Sequence, residues 1–268
     1  MSFITANHCG GLGNAMFKLA SAISTAIDNN VPYIFSNEFV RPVDVAVVTG
    51  GFPDYRIYYD NILRGIQFID KLPEEYITHG EPGFHYTPIQ YQPGTNLLLA
   101  GYFQSEKYFL NNKQTIMDLY GPPEHIKEQI RTNYPEIGNY ASIHVRRGDY
   151  LYYPDHHPQQ SKEYYEAAVN EIGINKTYMI FSDDLEGCKD LLDFIPNKHF
   201  FTSNVNWMDM YIMSMCSDNI ICNSTFSWWG AWLNQNPNKK VIAPNHWFGP
   251  AYHFYSTQDL IPESWIKI

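Results

Sequence analysis

The feature that most narrows the folds open to this chain is the exchange, from residue 140 onward, of short apolar runs with helical stretches. Strand-like runs fall near 140–145, 177–182, 199–201, 219–222 and 240–243, and helix-period segments near 161–172, 184–193, 207–216 and 226–234. Strands parted by helices of about 10–15 residues need crossover connections, and crossovers imply a parallel sheet. The first half opens in the same way. Phe3–Ala6 reads as a strand, 14–27 carries apolar residues at 16, 17, 19, 20, 23 and 27, and Val31–Phe35 reads as the next strand. Further on, 96–102 predicts a strand, and 106–119 and 123–133 predict helices. Residues 36–95, rich in Pro, Gly and Tyr, predict no topology. The stretch 134–139 reads as a linker. The expected fold class is α/β, with two Rossmann-type halves meeting at a cleft, 1–138 and 139–268.

Within that frame one heptapeptide stands out, His144-Val145-Arg146-Arg147-Gly148-Asp149-Tyr150. It follows the run 140–145 and therefore delivers two guanidinium groups to the end of a strand, where open α/β sheets bind their ligands. Paired arginines suit a diphosphate, because each planar fork bonds phosphate oxygens bidentately and keeps its charge. An ion-pair cluster with Asp149 and nearby carboxylates satisfies the same residues equally well.

Charge sharpens the point. The chain of 268 residues carries a formal net charge of −10, which argues against nucleic acid or an anionic membrane as partner. An acidic protein that binds an anion must concentrate positive charge locally. Aromatic residues make up 16% of the chain, with 21 Tyr and 6 Trp. Such residues stack on sugar rings, yet most of them are expected to fill the core. Cysteines 9, 188, 216 and 222 show no metal spacing and no C-x-x-C pair, which fits a reduced, intracellular chain. No signal-like start and no apolar run of about 20 residues is visible, so the expectation is a soluble, cytoplasmic protein without a transmembrane anchor. The sequons at Asn175 and Asn223 are read as chance, as is the Arg147-Gly148-Asp149 triplet.

Three further constellations carry chemistry. Gly10-Gly11-Leu12-Gly13-Asn14-Ala15-Met16-Phe17 lies between the first strand and its helix, where backbone N–H groups of Gly11, Gly13 and Asn14 can approach an anion. Met16 stands where a dinucleotide fingerprint needs its third glycine. A tight turn with Asn14 as N-cap is the plainer reading. Phe181-Ser182-Asp183-Asp184 ends another strand, and its carboxylates could accept from a guanine edge or a ribose, or cap the following helix. Ile221 to Leu233 runs from a strand through Asn223-Ser224-Thr225-Phe226 into a helix bearing Trp228, Trp229 and Trp232. Ser224 and Thr225 with the helix N–H groups could form a second phosphate cradle, or simply a cap, with at least two of the indoles in the core. No two aspartates lie two positions apart, so the D-x-D triplet is absent and no metal is expected.

Together these blocks resemble the α1,2-fucosyltransferase family, whose donor is GDP-fucose. The first resembles its G-G-L-G-N-Q-M-F opening, the second its H-x-R-R-x-D signature, and the third its N-S-[ST]-F-S-W-W-G-A-W-L stretch; Ile180–Asp184 is similar to its donor-side acidic motif. The resemblance implies a GT-B-like fold and an inverting transfer of fucose to a galactose-containing glycan or glycoconjugate acceptor, with no metal and no cofactor beyond the donor. It implies that the C-terminal half holds GDP, that Arg146 and Arg147 grip the diphosphate, and that Ser224, Thr225 and Phe226 touch the phosphates. It also implies that Asp183 or Asp184 meets the guanine and that His144 contacts the nucleotide. Ala15 stands where the family has Gln, which bears on the acceptor or the rate. Candidate bases for the acceptor hydroxyl are Asp149, Asp155, His156, His157 and His8. The rival readings are another linkage or a protein acceptor, and a non-catalytic glycan- or nucleotide-binding descendant.

Overall fold

The computed structural model describes residues 2–39, 55–73, 75–201, 203 and 205–268. The chain forms two compact units: residues 1–121 with 255–262, and 122–254 with 263–268. The division falls between Gly121 and Pro122 rather than near 138, because the helix Glu124–Asn133 belongs with the second unit.

In the first unit, β1 (Ile4–Ala6) pairs in parallel with β5 (Leu97–Ala100), and β5 with β4 (Ile77–Gly80). Helix α1 (Leu12–Asp28) covers this sheet with an almost wholly buried surface from Leu12 to Ala26. The predicted strand 31–35 shrinks to a bridge at Tyr33 and the short β2 (Phe35–Ser36), which pairs with β3 (Phe68–Ile69). Pro32 lacks the N–H that a continuous ladder needs, although its carbonyl still accepts from Ile4 N. Part of the unassigned stretch 36–95, residues 40–54, lies outside the described residues. The predicted helix 106–119 resolves into two 3₁₀ turns followed by α2 (Lys113–Tyr120), where the Asn112 amide turns away to donate to Ser24 and Asp28.

The second unit follows the sequence expectation closely. It contains α3 (Glu124–Asn133), β6 (Ala141–Val145), α4 (Lys162–Ile172), β7 (Tyr178–Ser182), β8 (Lys198–Phe201), α5 (Asn206–Met215), β9 (Asp218–Ile220), α6 (Thr225–Trp232), β10 (Val241–Ala243) and β11 (Ile266–Lys267). The six strands are all parallel, in the order β11-β10-β9-β6-β7-β8. Read from β8 as 3-2-1-4-5-6, this is the doubly wound arrangement of nucleotide-binding sheets, with the chain reversing direction between β6 and β9. Every residue of β6 is buried, as a strand covered on both faces must be. Ile143, Val145, Ile180, Ile220 and Ile242 from the sheet meet Tyr164, Tyr165, Ala168 and Val169 from α4. Ser161 accepts from Tyr164 N to start α4, and Gly173, at φ 127°, stops it.

One predicted helix fails. Residues 184–193 form only a 3₁₀ turn, Glu186–Cys188, and further turns. Ser182 Oγ accepts from Asp184 N, and Asp184 Oδ1 accepts from Gly187 N. These local bonds offer the backbone an alternative to the helical ladder.

Candidate functional site

The switch point between β6 and β9 is where the sequence delivers its charge. Arg146 and Arg147 follow β6 directly, Asp183 and Asp184 follow β7, and Ser224 opens α6 after β9. The guanidinium of Arg146 donates from Nη2 to Asp149 Oδ1 at 2.5 Å and pairs through Nη1 with Asp183 Oδ2 at 2.9 Å. Arg147 donates from Nε to Asp184 Oδ2 at 2.9 Å and from Nη1 to Gln159 Oε1 at 3.1 Å. Its backbone N–H donates to Asp183 Oδ1 at 2.9 Å. The ion-pair cluster anticipated as the alternative reading is therefore present. The arginine side chains are nevertheless 34% and 23% exposed. Among the described residues, neither Nε of Arg146 nor Nη2 of Arg147 has a protein acceptor within the cluster. These donors, and the exchangeable ones now held by carboxylates, are what an incoming anion would meet.

Asp183 and Asp184 orient the two guanidinium groups. Arg147 and the Gly187 N–H hold the Asp184 carboxyl below the usual carboxylate range, the Gly187 bond being the larger influence. Packing is tight around them. A Cβ on Gly148 would collide with Asp183 Oδ2, and one on Gly187 with Asp184 Oδ2 and Arg147 Nε.

His144 lies behind this cluster within β6, 6% exposed. Burial, reinforced by Arg146, pushes its imidazole down to about 3, so it is neutral. Burial likewise pushes the Cys222 thiol up to about 12, and the thiol sulfur sits 3.2 Å from His144 Nδ1. A protonated thiol donating to Nδ1 assigns the ring proton to Nε2. The Phe226 ring packs 5.5 Å away. Ser224 occupies the N-cap of α6 in extended conformation without a capping bond from its own side chain, while Ser227 Oγ donates to Ser224 O at 3.1 Å. The helix start thus presents its dipole to the switch point. Trp228, Trp229 and Trp232 are all buried.

Two residues inside the motifs, to which the sequence reading gave no role, hold the loops around the site. Tyr150 lies beneath the Arg146 guanidinium, 5.6 Å from its ring centre, and its hydroxyl donates to Asn223 O at 2.9 Å. The buried Asn223 amide donates to Pro158 O at 2.9 Å and Trp247 O at 3.0 Å, and its Oδ1 accepts from Gln160 at 3.0 Å. One side chain thus clasps the loop after β6 to the loop after β10. A buried Asn in a hydroxyl-rich strand end is the signal that could have identified it.

Gly11, Gly13 and Asn14 belong to the first unit. There α1 begins at Leu12 with Gly11 as its cap, so Asn14 lies inside the helix and is not its N-cap. Its Oδ1 accepts from Gln104 at 3.0 Å. Gly10, at φ 119°, makes the turn. Lys18, which the sequence reading passed over, is buried on α1 and donates to Cys9 O at 2.9 Å, bracing that turn beneath the Tyr102 ring. A lysine on the apolar face of a helix was the available clue. Glu81, also missed, accepts from the N–H groups of Tyr102 and Phe103 and is pushed upward by burial. His8 is fully buried among Phe35, Phe39 and Phe68, and burial lowers it to about 4. That takes it out of the set of bases an acceptor could reach. No described helix is long and apolar enough to cross a membrane.

Comparison with known proteins bears on this geometry. The family model "Glycosyl transferase family 11" matches residues 3–268. The chain belongs to glycosyl transferase family 11. This family 11 chain is 28% identical to the alpha-1,2-colitosyltransferase of Escherichia coli, over 100% of its own length and 99% of that protein. It is 31% identical to the O-antigen biosynthesis glycosyltransferase WbnK of Escherichia coli, over 63% of its own length and 60% of that protein. It is 22% identical to galactoside alpha-(1,2)-fucosyltransferase 1 of Homo sapiens, over 63% and 48%. A solved structure of POFUT1 in complex with GDP superposes with a TM-score of 0.51 at 12% identity, covering 90% of this chain and 97% of that one. The α/β fold with its parallel sheets is thus of the GT-B-like class.

Proposed function

We propose that this family 11 glycosyltransferase transfers L-fucose from GDP-β-L-fucose to a galactose-containing glycan, forming an α1,2 linkage with inversion and without a metal ion. The observation that carries the reading is the position of Arg146, Arg147 and the N-terminus of α6, all at the switch point of a 3-2-1-4-5-6 sheet. The names of its relatives support the linkage. In the reaction the acceptor oxygen bonds to the anomeric carbon, the bond from that carbon to the β-phosphate oxygen breaks, and GDP departs. The guanidinium groups and helix N–H groups neutralise the charge that grows on the leaving phosphate, and their value rises towards the transition state.

In this proposal the diphosphate displaces Asp149 and Asp183 as partners of Arg146. Asp183 and Asp184 keep the arginines in register before the donor arrives, one of them then meets the guanine, and His144 contacts the nucleotide. The hydroxyl proton passes to a carboxylate or imidazole near the arginines, with Asp149, Asp155, His156 and His157 as the candidates. A second donor reading has its own support, since the end-to-end match is to an α1,2-colitosyltransferase. An assay with radiolabelled GDP-fucose, the corresponding colitose donor and lactose, with linkage analysis of the product, decides between them. Transfer of neither sugar, together with no donor hydrolysis, would refute the catalytic reading.

A further inference from the structure

Beyond the arginines, a line of aromatic rings runs from the Arg146 guanidinium to the surface. The Tyr150 ring stacks on His157 at 4.9 Å and 19°, and His157 meets Tyr252 edge-on at 5.6 Å. Tyr252 in turn contacts His156 at 4.8 Å and Phe254 at 6.2 Å, and His156 contacts Tyr153 at 6.4 Å. The inner rings are partly buried, but Tyr153 is 58% and Phe254 63% exposed. Core filling does not account for rings left that open, and flat aromatic faces exposed beside an anion site are available to a ligand.

We propose that this ring line is a stacking platform for the pyranose rings of the glycan acceptor, a specificity surface contributed by the second unit. The inference deepens the function proposed above and rests on it. The order of strands favours acceptor over nucleotide base. Asp183 and Asp184, which the family resemblance gives to the guanine, follow β7, on one side of β6, whereas the platform joins the loop after β6 to the loop after β10, on the other side. The chemistry also matches. A pyranose offers an apolar C–H face with a rim of hydroxyls, and Tyr and His rings offer flat apolar faces with polar edges. The surface is held in shape rather than flexible. Gly249 N donates to His156 O at 3.0 Å and Ala251 N to Asp155 O at 2.8 Å, and a Cβ on Gly249 would strike the Asp155 carbonyl. A platform that is already ordered loses less entropy when a sugar settles on it.

The test measures lactose and GDP separately on the full chain, by saturation-transfer NMR and calorimetry, for wild type and for the double variant Tyr153→Ala/Phe254→Ala. Both positions are exposed, so the fold is retained. The double variant is expected to lose lactose affinity about tenfold while GDP affinity changes by less than about twofold. Equal lactose affinity in the two proteins, or none in wild type, overturns the platform. A loss confined to GDP also overturns it, and gives the rings to the nucleotide base. Ring-dependent lactose binding by a wild type that ignores GDP upholds the platform and sinks the donor reading instead.

Discussion

Each site guanidinium holds carboxylate partners, so substitutions there act on both signs of charge. Arg146→Ala removes the donors proposed for a leaving phosphate and leaves Asp149 and Asp183 without their shared cation. The expected loss in kcat/KM for fucosyl transfer is at least about 10²-fold, read in a radiolabelled-donor assay; a loss below about threefold contradicts the assigned role. Arg146→Lys is expected to recover little, because one ammonium cannot reproduce the fork that spans two acceptors. Gly148→Ala probes the same arrangement without touching a charge. Its methyl group must displace the Asp183 carboxylate, so Arg146 loses its 2.9 Å partner. Activity should fall about tenfold or more, because the guanidinium is no longer held in place before the donor arrives. Unchanged kinetics in this variant would show that Asp183 does not position the arginine.

Helices and strands account for what the sequence did and did not disclose. The second unit was legible because strands such as β7 and β10 are short apolar runs parted by helical stretches, and α4 carries both its Ser161 start and its Gly173 stop. The segment after β7 was misread for a physical reason: apolar spacing suggested a helix, but Ser182 and Asp184 divert the first N–H groups to their own side chains. The arginines, the acidic pair and the Ser224 strand end were all visible as motifs. Their mutual pairing was not, because it depends on β6 lying between β7 and β9. The role of Asn223 was hidden in the same way, since its partners Pro158 and Trp247 lie on loops distant in sequence. Helix α6 tests the core at this scale. Trp228 and Trp229 meet edge-on at 5.1 Å with no exposure. Trp229→Ala should therefore cost about 3–5 kcal/mol in urea unfolding, and a cost below about 1 kcal/mol would contradict this packing.

At the scale of the whole molecule, each unit contains a deeply buried histidine that folding keeps neutral. In the unfolded chain these imidazoles take up a proton near 6.5, whereas the folded values are about 4 for His8 and about 3 for His144. Between those limits the unfolded chain binds more protons, so stability falls as pH drops below about 6.5 and continues to fall towards 4. Differential scanning calorimetry should show Tm declining steadily from pH 7 to pH 4.5, and a flat profile would contradict the neutral assignment. A different consequence attaches to Asn223, whose amide ties the segments on either side of the sheet centre. Because one residue anchors both, neither segment can be exchanged with a relative's by itself. Chimaeras intended to redirect the enzyme to new glycans should transplant 148–160 and 244–254 as one inherited cassette.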